Sequence, residues 1–144
     1  MILYLDTSAY VRLYVQEEGH EIVWQASQKA QQIAVHLIAY AEMRAALAKM
    51  LRMDRLTRRQ VTSIKKVFES DWSKTLRIVP DERMMRRAGD LAEHYNLRGY
   101  DSVHLAAAES LIIGHGSGFL RFASFDHALN AAASAVGLRL LAAD

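Results

Sequence analysis

The sequence predicts an α/β fold: a mainly parallel sheet of four or five strands covered by helices. Three observations carry that prediction. Short apolar runs of four or five residues alternate with longer segments, the richest of which are built from Ala, Leu and Met, the strongest helix formers. Three of the runs are followed by helix-opening chemistry, Asp6-Thr7-Ser8, Pro80-Asp81-Glu82 and Asp126. Strands that alternate with helices run parallel, because each helix carries the chain back to the edge it started from.

Taken in order, Ile2 to Leu5 is a short buried strand that hands over to a helix at Asp6-Thr7-Ser8. Tyr10 to Val15 and Glu21 to Gln32 read as helices, separated by the breaker Glu17-Glu18-Gly19-His20. Ile33 to His36 is a second strand, and Ile38 to Arg52 a helix of strong formers. Thr57-Arg58-Arg59-Gln60 has the form of a capping box, so a further helix starts there and runs towards Trp72. Leu76 to Val79 is the third strand. Pro80-Asp81-Glu82 opens a helix that reaches about Tyr95, where Asn96 and Gly99 mark its end. Asp101 starts an alanine-rich helix, Ser102 to Ile112. After Gly114, Gly116 and Gly118 come a fourth strand, Phe119 to Ala123, and a helix opened by Asp126. Gly137 closes that helix before a last strand, Leu138 to Ala142. No internal repeat or linker interrupts the pattern.

Composition narrows the function. The 144 residues suit one domain, 1–144, and 51% hydrophobic with 24% charged residues is ordinary globular usage that excludes disorder. The absence of cysteine removes disulfide scaffolds, thiol catalysis, thiolate zinc sites and iron–sulfur clusters together. The apolar start, Met1 to Leu5, stops at Asp6 with no basic residue before it, which is no signal peptide. No apolar run approaches the roughly 20 residues that span a bilayer. A soluble, cytoplasmic protein with no membrane association is the expectation.

The acidic residues carry the chemistry. In an open α/β sheet, sites form beyond the carboxyl ends of the strands. Asp6 follows the first strand directly, Asp126 follows the fourth, and Asp101 sits at a helix start facing the same edge. Each also has a structural explanation, since aspartate is a preferred N-cap and favours the positive end of a helix. Glu42 differs: it lies within Ile38-Ala39-Tyr40-Ala41-Glu42-Met43-Arg44-Ala45-Ala46-Leu47, a stretch with little polar surface. A carboxylate there needs a cation, a hydrogen-bond partner or an exposed face. Arg44, two residues away, does not face it across one helix, so its partner lies elsewhere. Hard oxygen ligands gathered at one sheet edge suit Mg²⁺ or Mn²⁺ and the phosphoryl-transfer chemistry those ions support.

Four short motifs in this order form a recognisable combination: Leu3-Tyr4-Leu5-Asp6-Thr7-Ser8, Ala41-Glu42-Met43-Arg44-Ala45-Ala46-Leu47, Arg98-Gly99-Tyr100-Asp101-Ser102-Val103-His104-Leu105-Ala106 and Ala123-Ser124-Phe125-Asp126. They resemble the PIN-domain family, and most of all the VapC-like ribonuclease toxins of type II toxin–antitoxin pairs. The resemblance runs from residue 1 to about Leu140. It implies a three-layer α/β/α sandwich and a metal-dependent endoribonuclease that hydrolyses RNA with metal-activated water. Asp6 and Asp101 match the family's principal magnesium ligands; Glu42 and Asp126 match its other two acidic positions. Thr7 and Ser8 match small polar positions beside the first aspartate. The same resemblance implies a homodimer and a small antitoxin partner whose tail covers the acidic pocket. The sequence departs from the pattern at Gly114-His115-Gly116-Ser117-Gly118, which reads either as a flap beside the site or as a longer connection.

Other features weigh less. His104, three residues after Asp101, reads as a hydrogen-bonded structural histidine rather than a base. No G-x-S-x-G, Walker or dinucleotide-binding loop is present. Between Lys49 and Lys66 seven basic residues, among them Arg52, Arg55, Arg58 and Arg59, stand against the single acid Asp54. That stretch reads either as an RNA-backbone contact or as solvated helix faces. A catalytically silent PIN-like module that binds RNA or protein is the alternative to a nuclease, and all four acids being present argues against it. A haloacid-dehalogenase-type phosphatase wants a second Asp two residues after the first, and a receiver domain wants an acidic pair at the first strand. Neither fits Leu5-Asp6-Thr7-Ser8.

Overall fold

Burial alternates along the first strand, and that alternation builds the molecule's two cores. The computed structural model describes residues 1–141. Strand β1 (Ile2–Leu5) sends Leu3 and Leu5 to one face of the sheet and Tyr4 to the other, all three fully buried. It is flanked by β2 (Gln32–His36) on one side and β4 (Leu120–Ala123) on the other; β3 (Leu76–Ile78) lies outside β2. The order is β3-β2-β1-β4 and every pairing is parallel, with Tyr4 opposite Ala34 and Phe122.

Among the described residues seven helices cover the two faces, which makes the three-layer sandwich. On the Leu3 face lie α1 (Thr7–Tyr14), α2 (His20–Lys29), α3 (Ala39–Arg52) and α4 (Arg58–Trp72). Their core is Tyr10, Val23, Met43, Leu47 and Phe68 with Leu3, Leu5 and Val35. On the Tyr4 face lie α5 (Glu82–Tyr95), α6 (Gly99–Ile112) and α7 (His127–Ala135). There Leu91, Leu105, Leu129 and the alanines of α6 pack on Tyr4, Leu120 and Phe122. Helix α6 is buried continuously from Asp101 to Ala108, so it runs through this layer rather than over it.

The local signals read from the sequence decide where most elements begin and end. Thr57 and Gln60 form the reciprocal capping box at the start of α4. Asn96 ends α5 with φ 54°, the left-handed geometry that asparagine tolerates. Gly19 turns the chain into α2 at φ 90°, and a β-carbon there would stand 2.3 Å from the Phe125 ring.

Five expectations need correction. Helix α1 starts at Thr7, directly after its cap, not at Tyr10, and Gln32 belongs to β2 rather than to the helix before it. Helix α6 starts at Gly99 with Arg98 as its N-cap residue, so Asp101 stands inside the first turn and caps nothing. The fifth strand reduces to a bridge between Leu140 and Phe122 on the outer side of β4; Ala142, its expected end, lies outside the described residues. The Gly114–Gly118 loop precedes β4 and therefore lies at the start of the strands, the edge opposite Asp6. Its reading as a flap beside the site is lost.

Candidate active site

Strand order fixes where a site can form. The chain moves outward from β1 through β2 to β3, then places β4 on the other side of β1, so the connections diverge between β1 and β4. A crevice opens at the carboxyl ends of two such strands. Asp6 leaves β1 at that point and Ser124, Phe125 and Asp126 leave β4 there; the Asp6 N–H still donates to the Ala123 carbonyl at 3.1 Å.

Asp6 is the N-cap of α1 and is 3% exposed. Three donors hold its carboxylate. Ser8 Oγ and the Ala9 N–H donate to Oδ1 at 2.7 and 2.9 Å, and Ser124 Oγ donates to Oδ2 at 2.6 Å. Burial pushes its pKa above the ordinary aspartate value, and the three hydrogen bonds only partly offset that. Ser124 Oγ also accepts the Asp126 N–H at 3.1 Å, so one hydroxyl ties the two aspartates together. Asp126 in turn caps α7 through the Leu129 N–H at 2.8 Å.

Glu42, in the first turn of α3, has the distant partner its apolar surroundings require. Thr7 Oγ1 donates to Glu42 Oε1 at 2.7 Å, and His104 Nε2, from α6, lies 2.8 Å from the same oxygen. Burial alone would raise the Glu42 pKa. The bonds from His104 and Thr7, with the attraction of His104 and His36, bring it below the ordinary glutamate value. His104 is buried, and its Nδ1 meets the Tyr4 hydroxyl at 3.2 Å. Both ring nitrogens of His104 therefore have partners, Nε2 at Glu42 and Nδ1 at Tyr4. Arg44 faces away from Glu42, as helix geometry demands, and joins Tyr40 and Glu69 of α4.

Asp101 completes the cluster with a different partner. Arg98 Nε donates to Asp101 Oδ2 at 2.8 Å, and Arg98 Nη2 lies 3.5 Å from Asp126 Oδ2. The guanidinium thus spans two of the carboxylates. All four expected acids stand at the carboxyl edge, linked as Asp6–Ser124–Asp126–Arg98–Asp101, with the Thr7–Glu42–His104 group beside them.

The donor set fits a hard divalent cation: carboxylate and hydroxyl oxygens, and a positive charge already drawn between two acids. Among the described residues no three His, Asp or Glu side chains converge closely enough to hold a metal ion as they stand.

The basic stretch is elsewhere. Arg52 ends α3, ten residues after Glu42, which at the helical rise is about 15 Å along the axis. Arg58 and Arg59 open α4 at that same end, and Arg55 pairs with Glu17 at 3.0 Å. Arg98 and Ser124, by contrast, sit within the cluster, and the sequence reading gave neither a role. Their signal was position: each lies two or three residues before an acid of the site.

Comparison with known proteins identifies the family and the fold. The family model described as PIN domain matches residues 3–134. Ribonuclease VapC45 of Mycobacterium tuberculosis is 32% identical over 142 residues, covering 96% of this chain and 94% of its own length. Among solved structures, the toxin VapC20 of Mycobacterium tuberculosis, which cleaves the sarcin–ricin loop, superposes with TM-score 0.64 at 14% identity, over 90% of this chain and 94% of that one. FitAcB of Neisseria gonorrhoeae gives 0.67 at 18% identity over the whole of both chains. At those identities the likeness is one of fold.

Proposed function

The chain belongs to the PIN-domain family, and from that premise we propose that it is a Mg²⁺- or Mn²⁺-dependent endoribonuclease, the toxin of a type II toxin–antitoxin pair. One domain, 1–144, carries the activity in the cytoplasm, as a homodimer held in check by a small antitoxin. Among the described residues no helix is long and apolar enough to cross a membrane. The observation that carries the reading is the gathering of Asp6, Glu42, Asp101 and Asp126 at one sheet edge, with Arg98 drawn between two of them.

In this reading Asp6 and Asp101 are the principal metal ligands, and Glu42 and Asp126 complete the pocket. A bound divalent cation supplies an activated water and charge stabilisation at the cleaved phosphate. The protein's part is preorganisation. Ser8, Ala9 and Ser124 fix both oxygens of Asp6, so that its carboxylate presents one geometry. Thr7 and His104 both hold Oε1 of Glu42, which fixes the orientation of that carboxylate. The depressed Glu42 pKa keeps that carboxylate ionised at neutral pH, as a metal ligand or water acceptor requires. Asp6, buried and raised, is the group that gains most from a cation beside it.

The test is cleavage of a labelled single-stranded RNA by purified protein, with Mg²⁺, with Mn²⁺ and with excess chelator. Cleavage that appears with either cation and stops with chelator supports the reading. Cleavage indifferent to chelator, or none under any condition, overturns it.

A further inference from the structure

Arg98 is seated where a cation would be. Its Nε and Nη2 reach Oδ2 of Asp101 at 2.8 Å and Oδ2 of Asp126 at 3.5 Å, joining the first turn of α6 to the cap of α7. Nothing else in the fold needs its side chain there. Arg98 is the N-cap residue of α6 but makes no side-chain cap bond, and its side chain is 62% exposed. The Tyr100 ring lies beneath the guanidinium, 5.3 Å from centroid to Cζ.

We propose that Arg98 is a displaceable counter-cation: it holds Asp101 and Asp126 together in the metal-free site, yields both carboxylates to an entering divalent cation, and then binds a phosphate of the RNA. The proposal rests on the metal-dependent nuclease reading and adds the residue that couples metal entry to substrate binding.

Three physical points support it. An ion on either Oδ2 stands within a few ångströms of the guanidinium, and like charges at that range repel. Release is possible because the Arg98 side chain is 62% exposed and returns to water, while the entering cation takes over the partner that the buried Asp101 carboxylate requires. The freed guanidinium is a planar fork that matches a phosphate in two parallel hydrogen bonds, and it stands beside carboxylates that repel the RNA backbone until they are neutralised.

The experiment is a calorimetric titration of Mn²⁺ alone into the parent, Arg98→Gln and Arg98→Lys. A second titration, in saturating Mn²⁺, uses a 2′-O-methyl RNA oligonucleotide, which binds without being cut. Arg98→Gln should bind Mn²⁺ more tightly than the parent, by about fivefold or more, because the cation competing for a buried carboxylate is gone. The same variant should bind the RNA more weakly, with a log–log salt slope shallower by about 0.7. Arg98→Lys, a point charge that reaches one carboxylate at a time, should fall between the two in both titrations. Mn²⁺ binding by Arg98→Gln that equals or falls below the parent's overturns the counter-cation role; tighter Mn²⁺ with unchanged RNA binding overturns the phosphate role. If Arg98→Gln fails to fold by circular dichroism, Arg98→Lys decides, and weaker Mn²⁺ binding by it than by the parent overturns the proposal. The Mn²⁺ titration needs no RNA and parental cleavage needs no Arg98 variant, so failure of this inference and failure of the nuclease reading are told apart.

Discussion

His104 of α6 holds Glu42 of α3 at 2.8 Å across the carboxyl edge of the sheet. The two helices belong to opposite layers, so the contact clamps the sandwich shut at the point where the acids gather. His104→Ala takes one partner from the buried Tyr4 hydroxyl and leaves Glu42 with Thr7 alone, at a cost of about 2 kcal/mol. A carboxyl whose folded pKa is depressed stabilises the fold above its unfolded pKa and loses that contribution as pH falls through the folded value. The gap between parent and variant in urea denaturation should therefore be widest near neutral pH and narrow in acid. A gap that does not change with pH contradicts the clamp.

His36 gives a second pH signature of the same general direction over a different window. Its Nδ1 accepts the Ile38 N–H at 2.9 Å, which places the ring proton on Nε2, buried with no partner among the described residues. Burial, with repulsion from His104 and against the attraction of Glu42, lowers its pKa from 6.5 to about 4. Between those values the unfolded chain binds a proton that the folded chain refuses, so stability falls as pH falls, by at most about 3 kcal/mol. His36→Asn keeps an acceptor for Ile38 and removes the titration. Its stability should fall less steeply than the parent's between pH 6.5 and 4; equal slopes would show that His36 does not carry the effect.

Gly19→Ala should destabilise the protein by more than about 1 kcal/mol, since the left-handed backbone alone costs about that much for a residue with a β-carbon. The added methyl also meets Phe125 at 2.3 Å and Arg12 Cδ at 3.3 Å. Phe125 is stacked under Arg12, 4.0 Å from centroid to Cζ, and precedes Asp126. Thermal melting of the variant reads the cost, and an unchanged melting temperature contradicts the packing described.

Neutralising Arg55, Arg58 and Arg59 together should weaken RNA binding and leave the cleavage rate at saturating RNA unchanged, because these residues follow Arg52, at the end of α3 remote from Glu42. Each lost phosphate contact on a single strand reduces the log–log salt slope by about 0.7. An unchanged slope returns them to solvated helix faces.

The fold class was legible because local and global signals agree: alternating runs, caps at Asp6, Thr57 and Asp126, and stop residues such as Asn96. Asp6, Asp101 and Asp126 were singled out by their places at strand ends and helix starts of one edge, and Glu42 by its apolar surroundings. What was not legible is pairwise and non-local. Glu42 demanded a partner, but only the packing of α6 against the end of β2 supplies His104 as that partner. Asp101 reads as a cap in the sequence, and the extra turn from Gly99 removes that role and makes Arg98 its neighbour. The terminal strand failed for a related reason: Leu140 pairs at a single bridge, and an apolar run does not reveal how much ladder it will find.

Asp101→Asn in a Mg²⁺-titrated RNA cleavage assay bears most directly on the account. Asp101 caps no helix, and asparagine removes a buried charge while keeping an oxygen that can accept the Arg98 Nε–H, so the variant should fold. The account predicts cleavage slowed by about a hundredfold or more at every Mg²⁺ concentration, as expected for a lost metal ligand. It also predicts a smaller rise in melting temperature on adding Mg²⁺ than the parent shows, where a hundredfold excess over the dissociation constant gives about 2.7 kcal/mol. A folded Asp101→Asn protein that cuts RNA at the parent's rate, with the parent's Mg²⁺-induced shift, would contradict it.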